Sequence, residues 1–259
     1  MIKTIELNEQ PTILQVLIDT NEREKIWIKV KDAHRKNTYY TKRYGFVNGR
    51  KSFFVNMPQA PEIAKVIVYN DELGLRRRDK SFKAKIRTKP FTETPPPMSK
   101  KTKAFVKFAQ EFADECGFLR SSPKGERYKS NNGKFVIDYF DYIRSKGNGE
   151  KINTPARISQ LTGRIEVSAE AFRKYTIPMR LAILFHEFAH YNLNDEPSSE
   201  VEADINGIRI YLGLGYPRID IFNVFLNVFK RSPNNRNKKR YEELKSFVER
   251  YDRTMNLLK

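Results

Sequence analysis

The sequence has few of the features that build cross-linked, membrane-spanning or secreted proteins. Cys116 is the single cysteine, so the chain has no internal disulfide, which is typical of a reducing compartment. The longest apolar run, residues 181–185, is far shorter than the roughly 20 residues needed to span a bilayer. No basic start followed by an apolar segment indicates a signal peptide. We therefore expect no membrane span and a place in the cytoplasm or in a virion rather than secretion.

Acidic residues are also scarce relative to basic ones. The chain has 49 Lys and Arg against 31 Asp and Glu, a net charge of +18. The positive electrostatic field of a chain with this net charge attracts nucleic acid, acidic proteins or other anionic surfaces. The excess is densest in residues 76–89 and 230–240, which predicts an acidic or nucleic-acid partner there. The alternative is that the two segments are a solvated strand face and a solvated loop.

The first 90 residues show the alternation of apolar and polar residues that is typical of strands. It is clearest in residues 26–31 and 82–87, and residues 64–69 predict a buried strand. Asn48-Gly49 lies between two further apolar stretches and predicts a hairpin turn. We expect residues 1–90 to form a small β-sandwich or barrel.

Residues 91–98 are rich in proline, which interrupts helices and central strands, and they predict a semi-rigid linker. After it, Ser99 is suited to cap a helix that ends at Gly117, and Asn132-Gly133 predicts a hairpin. Later helices are expected at about 178–190, 198–212, 219–229 and 240–257. The predicted class is therefore α+β, with residues 99–259 as a second domain.

Two of the three histidines, His186 and His190, are four residues apart in a predicted helix. Side chains at this spacing share one face, so both imidazoles can bind one metal ion, and Zn²⁺ suits them. Glu187 lies between them and can take a proton from a water that the metal activates. The pattern predicts a zinc site with Glu187 as general base. His34 is expected to be a surface residue.

A catalytic zinc commonly has three protein ligands, so one further donor is needed. The downstream acidic candidates are Asp195, Glu196, Glu200, Glu202 and Asp204. Glu200 and Asp204 are four apart and share a helix face with Gly207, which would let two helices approach closely. No spare histidine can stabilise an oxyanion, and the candidates for that role are Tyr191, Tyr211 and Tyr216.

The sequence HEFAH followed by EVEAD resembles the gluzincin signature of zinc metallopeptidases, HExxH followed by ExxxD. The resemblance covers about residues 160–230 and implies a zincin-like fold with Glu200 as the third ligand. It implies that Asp204 orients a ligand histidine and that residues 164–168 are the sheet-edge strand that pairs with substrate. An arrangement with Asp195 as ligand stays open, because only nine residues separate His190 from Glu200.

A looser resemblance is to metalloprotease-like virion proteins of large tailed phages, including crAss-like ones. Three functions follow as hypotheses. The first is a zinc endopeptidase acting on a protein substrate. The second is a structural virion component, in a neck, tail or connector ring, that contacts neighbouring subunits. The third is a basic nucleic-acid-binding protein.

Overall fold

The computed structural model describes residues 1–75, 79–229 and 234–257 of the chain. These residues form two β-sheets and six helices, which confirms the α+β class. The strands are β1 Ile2–Glu6, β2 Thr12–Asp32, β3 Tyr39–Met57, β4 Ile63–Asn70, β5 Phe82–Pro90, β6 Glu126–Lys129, β7 Val136–Phe140, β8 Ala156–Ile158 and β9 Ile165–Ser168. The helices are α1 Lys100–Glu115, α2 Ala169–Phe172, α3 Ile177–Asn192, α4 Glu200–Gly213, α5 Arg218–Phe229 and α6 Asn235–Leu257.

The N-terminal strands form one antiparallel sheet around the long strand β2. One side of β2 pairs with β3 over almost its full length, and the other side pairs first with β5 and then with β4. The remaining strand, β1, lies outside β4. Alternate residues of β2, among them Val16 and Ile28, are fully buried, as the alternating sequence predicts.

The hairpin predicted at Asn48-Gly49 is wrong. Strand β3 continues through these residues, and Gly49 pairs with Thr20 of β2. Gly49 has a φ of +73°, and the register between β2 and β3 shifts beside it. The pair therefore marks an irregularity inside a long strand, because pairing along β2 overrides the local turn preference.

The second sheet has the order β6-β7-β9-β8. The predicted hairpin at residues 132–133 is confirmed, since β6 and β7 pair antiparallel across it. Strand β9 was expected at the edge, but it lies between β7 and β8. The edge strand is instead β8, whose three residues are too few to show a sequence period.

The Pro-rich segment lies against the end of α4. A Cβ atom placed on Gly213 would come within 2.7 Å of Pro96, and one on Gly215 within 2.1 Å of Phe91. The glycines therefore leave the space that the segment fills. The connection between β2 and β3 also makes polar contacts with the helices, such as the hydrogen bond that Arg180 Nη2 donates to the Asn37 carbonyl at 2.5 Å.

The predicted helices are present, although α6 begins at Asn235 rather than near residue 240. Ser99 caps α1 by accepting from the Thr102 amide at 3.0 Å, as expected. Residues 76–78 and 230–233 of the two basic segments lie outside the described residues. Within the described ranges, no helix combines the length and apolarity required to cross a membrane.

Candidate metal centre

Helices α3 and α4 bring the predicted site residues together. The Thr176 hydroxyl caps α3 by accepting from the Met179 amide at 3.4 Å, and the Ser199 hydroxyl caps α4 by accepting from the Glu202 amide at 3.3 Å. Where the helices cross, a Cβ on Gly207 would lie 2.8 Å from the backbone nitrogen of His186. Glycine at this position therefore permits the close approach, as the sequence predicted.

Donor atoms of three residues converge between the two helices. His186 Nε2 lies 3.1 Å from His190 Nε2 and 3.6 Å from an oxygen of Glu200. His190 Nε2 lies 3.8 Å from the other oxygen of Glu200. In a tetrahedral zinc site with bonds of about 2.0–2.2 Å, donor atoms are about 3.3–3.6 Å apart. The His186–His190–Glu200 group therefore has the spacing and the donor chemistry that suit a zinc ion.

The partner of Nδ1 on each imidazole favours one tautomer of the ring. His190 Nδ1 lies 2.8 Å from the Pro197 carbonyl, which can only accept, so Nδ1 carries the proton. His186 Nδ1 lies 2.9 Å from Oδ1 of Asp204, a distance typical of a hydrogen bond although the alignment is not ideal. When both imidazoles are neutral and carry their proton on Nδ1, each presents an Nε2 lone pair to the centre. Two such acceptors 3.1 Å apart do not attract each other, so the pair needs either a shared metal ion or a proton on one Nε2.

The charges around the histidines differ. Burial lowers the pKa of His186, but Asp204 and the nearby carboxylates outweigh it, so its pKa is raised overall. Burial and the charge of His186 lower the pKa of His190. Burial alone would raise the pKa of Asp204, but His186 and Arg240 hold it below its usual value. Asp204 is thus an ionised partner that favours a proton on Nδ1 of His186.

Glu187 lies in the same cavity and is almost fully buried. Burial raises the pKa of its carboxyl to about 7, although His186, the backbone of Ile158 and Arg240 act in the opposite direction. A dication in the centre would lower this pKa again. A carboxylate that titrates near neutral pH is suited to accept and return a proton.

Arg240 of α6 also belongs to the cluster, and sequence reasoning missed it. Its guanidinium donates to both oxygens of Asp204 at 2.8 and 2.9 Å and lies 3.0 Å from Oε2 of Glu200. Sequence reasoning placed it in a basic segment that faces solvent or nucleic acid. Its side chain is instead only 12% exposed. The Pro197 carbonyl was missed as well, because backbone atoms leave no residue-type signal.

The cluster opens into a cavity of about 450 Å³. One wall is formed by β8 and the residues before it, and another is apolar and includes Ile183, Val224 and Phe225. Within the described residues, β8 pairs only with β9, so its other edge is unpaired. An extended chain bound at this edge would lie beside the donor atoms.

The other candidate residues lie away from the donor atoms. Glu202 accepts from the backbone amide of Glu196, and His34 is an exposed residue of the N-terminal half. Asp195 is exposed in the turn before α4. The three tyrosines also have other roles: Tyr211 donates to the Pro217 carbonyl, Tyr216 accepts from Gln110, and the half-exposed Tyr191 packs on Gly163.

No protein-family model, curated protein or solved structure matches this chain. The gluzincin and phage resemblances therefore stay predictions from the sequence motif.

Proposed function

We propose that the chain is a zinc-dependent metallopeptidase of gluzincin type. The observation that carries the proposal is the convergence of the Nε2 atoms of His186 and His190 beside the Glu200 carboxylate. Two imidazoles and one carboxylate at these distances match the ligand set of a catalytic zinc. A purely structural His–His pair would hold a proton between the two rings, and the zinc titration below distinguishes the two cases.

His186, His190 and Glu200 would hold the zinc ion, which would supply Lewis-acid activation of a water molecule and of the substrate carbonyl. Glu187 would accept the proton of the attacking water and return it to the amide nitrogen of the cleaved C–N bond. Asp204 keeps the Nδ1 proton on His186, and the Pro197 carbonyl does the same for His190. Arg240 holds the carboxylates of Glu200 and Asp204 in place.

The cavity supports a polypeptide substrate. The edge of β8 away from β9, which no strand of the described residues covers, would pair with an extended chain, and the apolar wall at Ile183 and Val224 suits a hydrophobic side chain. Arg157 of the same strand forms an ion pair at 2.6 Å with Glu166 of the neighbouring strand β9, so Glu166 offsets the positive charge of Arg157.

Zinc binding is the first test. Purified protein stripped with a chelator should take up one zinc per chain in a calorimetric titration, and a His190→Ala variant should lose most of the affinity. His34→Ala is the matched control and should bind like the wild type. Equal zinc binding by the His190→Ala and wild-type chains would contradict the proposal.

Turnover is the second test. The wild type should cleave an unfolded protein such as reduced casein, and Glu187→Gln should abolish cleavage while zinc stays bound, because it removes the base and no ligand. Glu202→Gln is the control and should keep full activity. Full activity of Glu187→Gln would refute the mechanism.

The structural virion role stays a prediction that rests on the looser phage resemblance. A wild-type chain that binds zinc but cleaves neither unfolded proteins nor co-purifying partners would favour it over the peptidase. Such a result would leave the zinc site itself intact.

A further inference from the structure

The N-terminal sheet carries a second feature that the peptidase reaction does not use. Its outward side chains are the alternate residues 25–31 on β2, 42–46 on β3 and 65–69 on β4, which lie opposite one another in the strand register. These ten positions hold five lysines, four aromatic residues and Ile67, and no carboxylate. We name this surface the aromatic–lysine face.

The aromatic residues form a contiguous group. Trp27 lies 5.2 Å from Tyr44 and 6.3 Å from Tyr69, measured between ring centroids, and Tyr44 lies 6.3 Å from Phe46. The planes of Trp27 and Tyr69 are nearly parallel, at 9°. Tyr44 and Phe46 are 51% and 50% exposed. Trp27 and Tyr69 are partly exposed, so all four rings offer some accessible π surface and none belongs to the buried core.

The lysines are placed where they weaken the sheet. Lys29 lies directly opposite Lys42 on one side, and Lys31 lies directly opposite Lys65 on the other. Like charges at directly opposed positions destabilise strand pairing. Lys29 and Lys25 also lie over aromatic rings, at 4.8 Å from Tyr69 and 4.6 Å from Tyr44. Cations beside exposed rings present an anion with both charge and stacking surface.

Cross-strand aromatic and cation–π pairs also stabilise sheets, and this purely structural role accounts for part of the arrangement. It does not account for opposed lysine pairs, which cost stability. Asp71, just beyond β4, pairs with Lys25 at 2.8 Å and accepts from the Trp27 indole, so it offsets only one lysine at the margin. The remaining lysines give the face its positive charge.

We propose that the aromatic–lysine face binds single-stranded nucleic acid. Phosphates would contact the lysines, and unpaired bases would stack on Trp27, Tyr44 and Tyr69. A duplex keeps its bases stacked on one another and cannot use the rings. The face spans about 20 Å along β2 and about 10 Å across three strands, which suits two or three stacked bases. The ten residues that define the face lie outside the two basic segments, residues 76–89 and 230–240, in the sequence.

Trp27 is the only tryptophan of the chain, so binding can be followed without a label. The full-length protein is titrated at low salt with a 12-residue oligothymidylate while the tryptophan fluorescence is recorded. Base stacking should quench the signal, and the affinity should fall as salt rises. Absence of both quenching and binding at low salt would overturn the proposal.

Single substitutions separate stacking from charge attraction. Tyr44→Ala should weaken binding about 5-fold or more, and Tyr44→Phe should restore it because stacking needs no hydroxyl. Phe118→Ala, an exposed aromatic outside the sheet, is the control and should bind like the wild type. Fluorescence anisotropy of a labelled oligonucleotide serves for variants with altered tryptophan emission, and circular dichroism confirms that each variant is folded.

The lysine contribution is tested in the same way. Lys42→Ala should weaken binding and reduce the slope of log affinity against log salt by about 0.7. Lys107→Ala removes the same charge from an exposed position of α1 and should change neither quantity by a comparable amount.

Three results would overturn the proposal even if binding occurs. Duplex DNA could bind as tightly as the single strand. Lys83→Ala on β5 could weaken binding while Tyr44→Ala does not, which would mean attraction by the basic segment alone. Polyglutamate could compete as well as the oligonucleotide, which would identify an acidic protein as the partner.

Discussion

Arg240 Nη2 lies 3.0 Å from Oε2 of Glu200, the same oxygen that lies 3.6 Å from His186 Nε2. A residue of α6 therefore positions a metal-ligand candidate of α4. The same guanidinium holds Asp204, which is 3% exposed. Two carboxylates of the candidate site thus depend on one cation that is distant in sequence.

We expect Arg240→Ala to destabilise the metal-free protein by about 3 kcal/mol, because it leaves the buried Asp204 carboxylate without its bidentate guanidinium partner. Urea unfolding in the presence of a chelator measures this. Zinc should reduce the difference, since a dication offsets the same carboxylates. Lys238→Ala, at an exposed position of α6, should change the free energy of unfolding by less than about 0.5 kcal/mol. A similar loss in both variants would contradict the assigned role of Arg240.

Glu200→Ala should weaken zinc binding sharply, whereas Glu202→Ala should leave it nearly unchanged. Glu200 faces both histidines, and Glu202 contacts the turn before α4 instead. Asp204→Asn should have an intermediate effect, about 10- to 100-fold, because it removes the partner of His186 and not a ligand. Calorimetric titration of the three variants gives the order, and the reverse order for Glu200 and Glu202 would refute the ligand set.

Gly207→Ala should separate α3 from α4, because the added Cβ would meet backbone atoms of Phe185 and His186 at 2.8–2.9 Å. We expect a loss of about 1–3 kcal/mol in stability together with weaker zinc binding. Gly147→Ala is the control, since nothing lies within 4 Å of its added Cβ. Thermal unfolding and zinc titration of both variants test the expectation, which fails if Gly207→Ala binds zinc normally.

The stability of the protein should depend on pH through Asp220. Burial raises the pKa of this carboxyl to about 7, although Arg43 and the Thr176 hydroxyl act against it. A folded-state pKa above the unfolded value means that protonation favours the folded state. This contribution to the free energy of unfolding is complete below about pH 4 and is lost as the pH rises through 7. The free energy of unfolding should decrease by at most about 1.4 kcal/mol per pH unit in this range.

Asp220→Asn should therefore flatten the decline in stability between about pH 4 and 7, because the amide cannot ionise. Urea unfolding at several pH values measures the slope, with the exposed Asp195→Asn as control. An unchanged slope in Asp220→Asn would show that other groups cause the decline. Glu187, with a pKa also raised to about 7, would then be the next candidate.

The sequence predicted the donor pairs because each pair lies within one helix. Helical periodicity fixes the relation of His186 to His190 and of Glu200 to Asp204, whatever the rest of the fold does. Arg240 could not be found in this way, since it lies 36 residues beyond Asp204 and meets it only through tertiary packing. Its basic surroundings instead favoured an exposed position.

The same distinction explains the errors in the sheets. Asn48-Gly49 has the composition of a turn, but its conformation is set by β2, a strand 21 residues long that pairs along it. The edge strand β8 pairs with β9 after a short connection. Its three residues are too few to show the alternation of apolar and polar residues by which a strand is predicted. Short strands and long strand pairs both depend on partners that local patterns do not encode.

Arg180 has a consequence for attempts to cut the chain into pieces. Its fully buried guanidinium donates to three carbonyls, those of Phe172, Ala113 and Asn37. Asn37 belongs to the N-terminal half, so a truncation at the Pro-rich segment would remove one acceptor from a buried charge. The half that holds the candidate metal centre, expressed alone, would therefore have a buried guanidinium that lacks one of its three acceptors, so the two halves should be exchanged or engineered as one unit.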